Sequence, residues 1–437
     1  MKTLNRHTTG IVVSHPERVV QFGAGNFLRG FVDWIIQELN DQAGFDSSVV
    51  VVKVTPNGTY ESLDAQDGLF HVHIEGIQNG EFISKTQLIS CISRAVYPYE
   101  DYESYLALAR QPEIRFLISN TTEAGIQFDA NDQATDQPPT SFPAKLTVFL
   151  YERFRHLPDN GCIIIPTELV VDNGAQLREM ILKYTDQWGL GADFAKWIQT
   201  HNMFCNTLVD RIVPGYLQNV TLDYDDKLLV MGEPYHSWII EAPASLKDEL
   251  PTASLNIKIV DDAEPYRETK VRILNGLHTS MVPIGYLLGL ETVRDCIDHP
   301  VLGQFLQDEV YKEIIPMMTY DDLEAFTEAV FDRFRNPSIH HKLLSIAVNS
   351  SAKVKTRILP TLQDYMAKYQ TMPQRLALAL AAFVAFYQDE SAPLNDDAEA
   401  IAAIRQDYKA YLGVDLDHYL AQIQKDGILS ILEQLNG

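Results

Sequence analysis

The sequence is poor in cysteine and in positive charge. Its four cysteines are widely spaced, with no CxxC pair, which argues against a disulfide framework or a zinc motif and favours a reduced, cytoplasmic protein. The 59 acidic residues outnumber the 35 lysines and arginines, so the formal net charge is −24. Such a charge opposes binding to nucleic acid and to anionic membranes, and neither partner is expected.

Long apolar runs are also lacking. The longest, Leu376–Tyr387, is well short of the roughly 20 residues that a membrane-spanning helix needs. The first residues, MKTLNRHTTG, contain no apolar segment of the signal-peptide kind. The sequence therefore predicts no membrane span and no export signal.

Two different apolar patterns follow each other along the chain. From Arg18 to about Ile240, short β-rich runs alternate with helical patterns, which predicts a mostly parallel sheet with crossover helices. The predicted strands are Arg18–Phe22, Val49–Val54, Arg115–Ser119 and Gly161–Pro166. From Lys270 onward the pattern is typical of long helices. These are Val271–Leu288, Val301–Met317, Leu323–Phe334, Ile339–Val348, Ile358–Tyr369, Pro373–Tyr387 and Asp397–Tyr411.

The first predicted strand runs into a glycine turn that opens an amphipathic helix. In Gly23-Ala24-Gly25 the first glycine permits a tight turn and the second lets a pyrophosphate approach the backbone at a helix N-terminus. The third glycine of the usual pattern is replaced by Leu28. A tight turn of any α/β protein would look similar, but this context favours dinucleotide binding. The predicted cofactor-binding residues of the turn are Phe22, Gly23, Ala24, Gly25, Asn26 and Phe27.

The fold class predicted from these features is α/β. A Rossmann-type, doubly wound sheet domain (residues 1–255) precedes a mainly α-helical substrate and catalytic domain (256–437). The division is placed near residue 255, where Pro243, Pro251 and Pro265 interrupt the pattern.

Two further polar segments follow predicted strands of the first domain. Lys53 stands where an acidic residue would select NAD by its ribose, so this position leaves NAD and NADP open. Asn120, Thr121 and Thr122 follow the strand Arg115–Ser119, where a cofactor crevice would lie. A turn with a helix cap would explain these three residues equally well.

Lys270, Asn275 and His278 combine an amine, an amide and an imidazole at the predicted start of an apolar helix. On a regular helix Asn275 lies about 140° and His278 about 80° around from Lys270, with Lys270 about 12 Å back from His278 along the axis. Metal-free alcohol oxidation needs a base for the hydroxyl proton and a donor for the developing alkoxide. We therefore predict Lys270 as general acid/base, Asn275 as the donor and His278 as a substrate-orienting group. A solvated lysine, a buried amide and a core histidine would fit the same spacing.

Several blocks resemble the mannitol dehydrogenase family of polyol-specific long-chain dehydrogenases. The most specific are Val209-Asp210-Arg211 and Lys270-x4-Asn275-x2-His278. The other blocks are Gly23-x-Gly25-x-Phe27-x-Arg29, Gln66-Asp67-Gly68-Leu69, Thr122-Glu123-x-Gly125, Glu233-Pro234-x3-Trp238 and Arg335-Asn336-Pro337. The resemblance covers nearly the whole chain. It implies an NAD-dependent enzyme without a metal, acting on a small molecule, with Asp210 in the cofactor site.

Within that family the sequence is more similar to the branch that acts on uronates, which favours NAD over NADP and implies an aldonate or ketouronate substrate in carbohydrate catabolism. Such a substrate carries a negative charge. The densest cationic stretch of the helical domain, Lys353-Val-Lys355-Thr-Arg357, is therefore predicted to bind it through Lys353 and one of Lys355 or Arg357. The resemblance favours Lys353, because mannitol-type members have a substrate-binding basic residue there.

The sequence departs from the mannitol-type pattern after the strand Gly161–Pro166. Those members carry an Asp-Asn pair there, whereas this chain has Glu168-Leu169, so the second alkoxide donor is not identified. Asn173 is the nearest amide and is a weak candidate for substrate binding. His340-His341 and Asp223-x-Asp225-Asp226 lack zinc or calcium spacing, so no metal is predicted. A polyol dehydrogenase and a catalytically silent NAD(H)-binding sensor stay open as alternatives, as does the oligomeric state.

Overall fold

The computed structural model describes residues 2–12, 15–215 and 220–437. The chain divides into two compact units. The first comprises Met1–Glu75 and Ile83–Ala263, and the second comprises Gly76–Phe82 and Glu264–Gly437. Within the described ranges, no helix has the length and apolar character needed to cross a membrane.

A six-stranded parallel sheet forms the centre of the first unit. Its strands are β1 (Glu17–Phe22), β2 (Ser48–Val52), β3 (Ile92–Val96), β4 (Phe116–Ser119), β5 (Ile163–Pro166) and β6 (Met203–Phe204). They lie in the order β3-β2-β1-β4-β5-β6, and all neighbours are parallel. This 3-2-1-4-5-6 order is that of a dinucleotide-binding fold, in which ligands bind beyond the carboxyl ends of the strands.

The central strands are apolar on both faces because both faces are covered. Alternate side chains of β2 enter two different cores, with Val49 and Val51 on one face of the sheet and Val50 and Val52 on the other. The covering helices are Trp34–Ala43, Tyr102–Ala109, Phe142–His156, Asn173–Gln187 and Ala192–His201, with shorter helices at Arg6–Thr9 and Glu61–Ala65. This double burial explains why the four predicted strands could be found from the sequence.

Among the described residues, the other strands form two three-stranded sheets and one short ribbon, and all but the segment Gly76–Phe82 belong to the first unit. Asn206–Asp210 pairs antiparallel with Ser237–Glu241, which pairs parallel with Ile257–Val260. In the second sheet, Val230–Gly232 and Glu81–Ile89 flank Phe70–Gln78. The ribbon joins Lys2–Thr3 to Tyr224–Asp225. The predicted division at residue 255 thus falls just before the strand Ile257–Val260, which is joined to the first unit by its pairing.

The second unit is built mainly of helices around one apolar core, as its sequence pattern predicted. Their bounds are Glu264–Thr269, Gly276–Leu287, Val293–Asp298, Pro300–Glu309, Leu323–Phe334, Leu343–Ile346, Ser350–Arg357, Leu359–Tyr369, Gln374–Gln388, Ala398–Leu412, Asp417–Asp426 and Ile428–Asn436, with π-helical segments at Lys270–Asn275 and Val310–Ile314.

The helix predicted over Ile339–Val348 is mostly wrong. Only Leu343–Ile346 is helical, because the preceding residues pair with the chain segment around Thr292. The amide of Val293 donates to the carbonyl of His341 at 3.0 Å, and the amide of Leu343 donates to the carbonyl of Glu291 at 2.9 Å. Backbone groups bound in this way across two segments are not available to a helix.

Candidate active-site segments

The glycine turn lies at the carboxyl end of β1, in the first unit. Gly23 has a φ of +109°, a conformation that a residue with a side chain rarely adopts, and a Cβ there would lie 3.3 Å from Leu28 Cδ1. At Gly25, an added Cβ would meet no described atom within 4 Å, so open space lies beside the backbone. Helical structure begins at Asn26. The turn therefore has the shape that fits a pyrophosphate against a helix N-terminus.

The side chain of Arg29 folds back over this turn. Its Nη1 donates to the carbonyl of Ala24, and its Nη2 donates to Oδ1 of Asn26 at 2.9 Å. Burial lowers the pKa of Arg29, an effect that the charges of Asp33 and Asp226 oppose. Asp33 is itself fully buried, and burial raises its pKa to about 7. Arg29 therefore stabilises the turn through these two hydrogen bonds. Its position in the sequence motif did not indicate this role.

Arg211, in the Val209-Asp210-Arg211 block, supports the helix that follows the turn. Its Nη1 donates to the carbonyl of Gly30 at 2.9 Å, and its guanidinium carbon lies 4.2 Å from the ring centroid of Trp34. Gly30 lies within the π-helical segment Leu28–Asp33. A donor that binds a helix carbonyl is a known cause of local irregularity. Burial lowers the pKa of Arg211 to about 9, and Glu233 opposes this shift.

The other predicted cofactor residues lie at strand ends of the same unit. The side chain of Lys53 is buried just beyond β2, and its Nζ donates to the carbonyl of Pro56 at 3.4 Å. Asn120 follows β4 and donates from Nδ2 to the carbonyl of Thr167 at 2.9 Å. Asp210 ends the strand Asn206–Asp210, opposite Ser237. The amine of Lys53 is therefore directed at the loop that follows β2. Binding of the cofactor by Lys53, Asn120 and Asp210 stays a prediction.

Asn173 is a structural residue, contrary to its predicted substrate role. Its side chain is completely buried, and its Nδ2 donates to the carbonyls of Pro166 and Glu168 at 3.2 and 3.0 Å. Its Oδ1 accepts from the amides of Gly174 and Thr207, both at 2.9 Å. The amide has no hydrogen-bonding capacity left for a ligand, so the substrate assignment is withdrawn.

In the second unit, Lys270 does not begin a helix. The helix starts at Glu264, and residues Lys270–Asn275 form a π-helical segment before the α-helix resumes at Gly276. Because π-helical hydrogen bonds run from residue i to i+5, the angle between Lys270 and Asn275 around the helix axis is smaller than the about 140° of a regular helix. The two residues thus lie closer around the axis than the regular-helix geometry predicted.

His278 is held between two rings. Its imidazole centroid lies 4.5 Å from that of Phe334 and 5.2 Å from that of His341, the latter ring nearly perpendicular at 75°. Burial lowers the pKa of His341, which keeps that ring neutral near pH 7. The hydroxyl of the next residue, Thr279, donates to the carbonyl of Asn275, one turn earlier, at 2.8 Å. The imidazole of His278 is therefore oriented by packing.

The cationic helix Ser350–Arg357 separates its three basic residues. Lys353 Nζ donates to the carbonyl of Ile346 at 2.8 Å, and Arg357 Nη1 lies 3.4 Å from the Thr279 hydroxyl, next to His278. Lys355 instead extends over the ring of Tyr411, 3.6 Å from its centroid. Of the two alternatives for the second cation, Arg357 lies beside Thr279 and His278, whereas Lys355 is directed at Tyr411.

Lys353 and Arg357 lie four residues apart, on one side of their helix. Burial lowers the pKa of each, and the charge of Arg357 lowers that of Lys353 further. In the part of the chain that the structure describes, no carboxylate forms an ion pair with either side chain. The charge of Asp396 partly offsets these effects on the pKa of Lys353. A half-buried cation pair without a direct ion-pair partner is a suitable site for a carboxylate ligand.

The acidic and histidine motifs set aside as metal sites have other roles. Asp226 accepts hydrogen bonds from the side chain of Gln66 and from the amide of His71, at 2.9 and 2.7 Å. Over the described ranges, no group of three or more His, Cys, Asp or Glu side chains is arranged to hold a metal ion.

Two family models match the chain in series. The mannitol dehydrogenase Rossmann domain matches residues 17–253, and the mannitol dehydrogenase C-terminal domain matches residues 262–423. The chain belongs to the mannitol dehydrogenase family. The resemblance found in the sequence is thereby confirmed, together with the predicted fold class.

Similar proteins within this family include altronate oxidoreductases. That of Bacillus subtilis (strain 168) is 44% identical over 409 residues, covering 91% of this chain and 85% of the relative. That of Escherichia coli O1:K1 / APEC is 44% identical over 429 residues, covering 94% and 89%.

Two solved structures share the fold. A substrate-free D-sorbitol dehydrogenase has a TM-score of 0.80 at 20% identity, over 99% of this chain and 100% of that one. The mannitol 2-dehydrogenase of Pseudomonas fluorescens, solved as a ternary complex with NAD and D-mannitol, has a TM-score of 0.67 at 21% identity, over 100% and 99%.

The helix Gly276–Leu287, which carries His278, is supported by a buried acid. Two residues after His278, the Ser280 hydroxyl donates to Glu309 Oε1 at 2.6 Å. Glu309 is completely buried, and burial raises the pKa of its carboxyl to about 8. Glu313 adds to this shift, whereas the Ser280 hydrogen bond and the charge of Arg375 oppose it. Glu309 therefore binds its proton more tightly in the folded protein than in the unfolded chain.

We expect Glu309→Gln to change the pH dependence of stability. The unfolded carboxyl has a pKa of about 4.3, so the wild-type free energy of unfolding should fall as pH rises from about 4 to about 8, while glutamine removes this term. The free energy of unfolding of the variant, measured with urea, should therefore rise relative to that of the wild type between pH 5 and pH 8.

Asp308→Asn is the matched control. The carboxylate of Asp308 accepts from Lys312 and Arg375 at 2.7 and 2.9 Å, and its pKa is lowered. Its stabilising effect is present at neutral pH and is lost as pH falls, so Asp308→Asn should destabilise most at pH 7 to 8. A Glu309→Gln effect that is the same at every pH would refute the assignment of a buried, protonated acid.

Proposed function

We propose that this protein is an NAD-dependent secondary-alcohol dehydrogenase that interconverts D-altronate and D-tagaturonate. The observation that carries the proposal is its 44% identity to altronate oxidoreductases over 91% of the chain. The cation pair Lys353 and Arg357 supports a negatively charged substrate, since a neutral polyol has no need of it.

The cofactor is assigned to the glycine turn of the first unit. Gly23 and Gly25 give the tight turn and the open backbone that a pyrophosphate requires, and Arg29 holds that turn in shape. Phe22, Ala24, Asn26 and Phe27 complete the turn, and the segment Asn120–Thr122 lies at the carboxyl end of β4. A nicotinamide held there would supply the hydride acceptor for oxidation of the alcohol and the hydride donor for reduction of the ketone.

The proton is assigned to Lys270 in the second unit. Its amine would take the hydroxyl proton of altronate during oxidation and return it to the ketone oxygen of tagaturonate during reduction. Asn275 ends the π-helical segment that Lys270 begins, and its amide would donate to the developing alkoxide. His278, oriented by Phe334 and His341, would hold a neighbouring substrate hydroxyl.

A panel of ketones with NADH tests the proposal. Tagaturonate, fructuronate and fructose would be reduced side by side while NADH absorbance is followed. We expect the highest kcat/KM with tagaturonate. A preference for fructuronate would assign the mannonate reaction, and a preference for fructose would remove the argument for a charged substrate. Binding of NADH without turnover of any sugar would instead support a catalytically silent sensor.

Replacement of Lys270 should abolish most of the turnover. With Lys270→Met we expect kcat to fall by about 10³-fold, within the range for loss of a general acid/base, while the Kd for NADH stays within about 2-fold of wild type. Lys355→Met is the control, because Lys355 lies over Tyr411 and should tolerate replacement. Near-normal turnover by Lys270→Met would show that another group moves the proton.

Replacement of either partner of the cation pair should affect the sugar acid specifically. A hydrogen bond to a charged group contributes about 1.5–3 kcal/mol, so Lys353→Met and Arg357→Met should each lower kcat/KM for tagaturonate by roughly 10- to 100-fold. Lys355→Met should remain within about 2-fold. Activity with fructose, which lacks the carboxylate, should fall much less. Equal losses on both ketones would mean that the pair supports the fold instead of the carboxylate.

A further inference from the structure

Glu168 places a buried carboxylate between the ends of two neighbouring strands. It follows β5, and the residue is only 2% exposed. Its Oε1 accepts from the amide and the hydroxyl of Thr121 at 2.8 and 2.9 Å, and its Oε2 accepts from the Ser119 hydroxyl at 3.1 Å. Three donors from the end of β4 and its following loop thus converge on one side chain.

The loop that Glu168 binds has an unfavourable backbone conformation. Thr122 has a φ of +72°, which is uncommon for any residue with a side chain and especially for a β-branched one. The following turn Glu123–Gly125 packs back on Thr121, since a Cβ at Gly125 would lie 2.0 Å from Thr121 Oγ1. Strained backbone of this kind persists only where the surroundings hold it, and it is concentrated at ligand sites.

Glu168 is itself fixed from the other side. The buried amide of Asn173 donates to the Glu168 carbonyl at 3.0 Å and accepts from the amide of Thr207, in the strand Asn206–Asp210. The amide of Val170 also donates to the Glu168 carbonyl, at 2.8 Å. The backbone of Glu168 is therefore held by these hydrogen bonds, and its carboxylate binds the loop after β4 from this fixed position.

We propose that Glu168 is a positioning residue for the cofactor: it holds Ser119–Thr122 in the conformation that binds NAD(H), without touching the cofactor itself. This rests on the proposed function, in which the carboxyl ends of these strands form the cofactor crevice. Glutamate suits the task because its side chain reaches from the end of β5 to the backbone amide of the loop after β4. No hydrogen-bond donor of the side chain is needed, only two acceptor oxygens.

The test is the Kd for NADH of the full-length protein, measured by fluorescence titration without substrate. For Glu168→Ala we expect the Kd to rise by about 10-fold or more, while kcat at saturating NADH stays within about 3-fold. Glu168→Gln keeps an acceptor for Thr121 and a group that can donate to Ser119, so it should restore the Kd to within about 3-fold. Thr121→Val removes one of the three donors and should raise the Kd by about 3-fold, whereas Thr121→Ser should not.

Glu152→Ala controls for the loss of a buried glutamate. Glu152 pairs with Arg110 at 2.6 Å on the helix Phe142–His156, so its removal should lower the melting temperature and leave the Kd unchanged. A wild-type Kd in Glu168→Ala, or an equal rise in Glu152→Ala, would overturn the positioning role. If Glu168→Ala fails to fold, an unchanged Kd for NADH in Thr121→Val would overturn the positioning role. No binding of NADH by the unaltered protein would instead overturn the cofactor assignment, and the positioning role with it.

Discussion

The arrangement of the first unit depends on satisfying backbone groups where parallel strands end. Beyond β4 and β5 the ladder stops, and amides and carbonyls must find other partners before they are buried. The amide of Asn173 and the carboxylate of Glu168 supply them. Asn173 binds the backbone that follows β5, and Glu168 binds the loop after β4. The polar side chains most deeply buried in this region are therefore those that shape the backbone at which a cofactor is expected.

In the second unit, the main constraint is the angle around the helix axis between Lys270 and Asn275, the predicted base and amide. A regular helix separates Lys270 and Asn275 by about 140°, and a loop would give neither residue a fixed position. The π-helical segment Lys270–Asn275 keeps the helix continuous and reduces this angle. Such segments are frequent at functional sites because they shift the register of a helix face without ending the helix.

The sequence was sufficient for the features that depend on local patterns. Val49–Val52 is apolar at every position because both of its faces are buried, and the glycine turn was visible from its place between a strand and a helix. Strand Glu81–Ile89 escaped prediction because it is largely exposed and carries no apolar alternation. Ile339–Val348 was misassigned because its pairing partner near Thr292 lies far away in sequence. The candidate site could be predicted only in part for the same reason. The three cations within residues 353–357 gave no indication that Lys355 points to Tyr411 while Arg357 points to Thr279. No sequence motif marked Glu168.

The unpaired cations Lys353 and Arg357 belong to a chain with a net charge of −24, and this contrast affects how an anionic ligand arrives. At a distance, a sugar acid or a dinucleotide meets a repulsive field, and salt screens that field with a Debye length of about 8 Å at physiological ionic strength. Close to the helix Ser350–Arg357 the sign is reversed, and the same salt weakens capture. Ionic strength therefore acts in opposite directions on the rate at which an anionic ligand meets this acidic protein and on the lifetime of a complex formed at these cations.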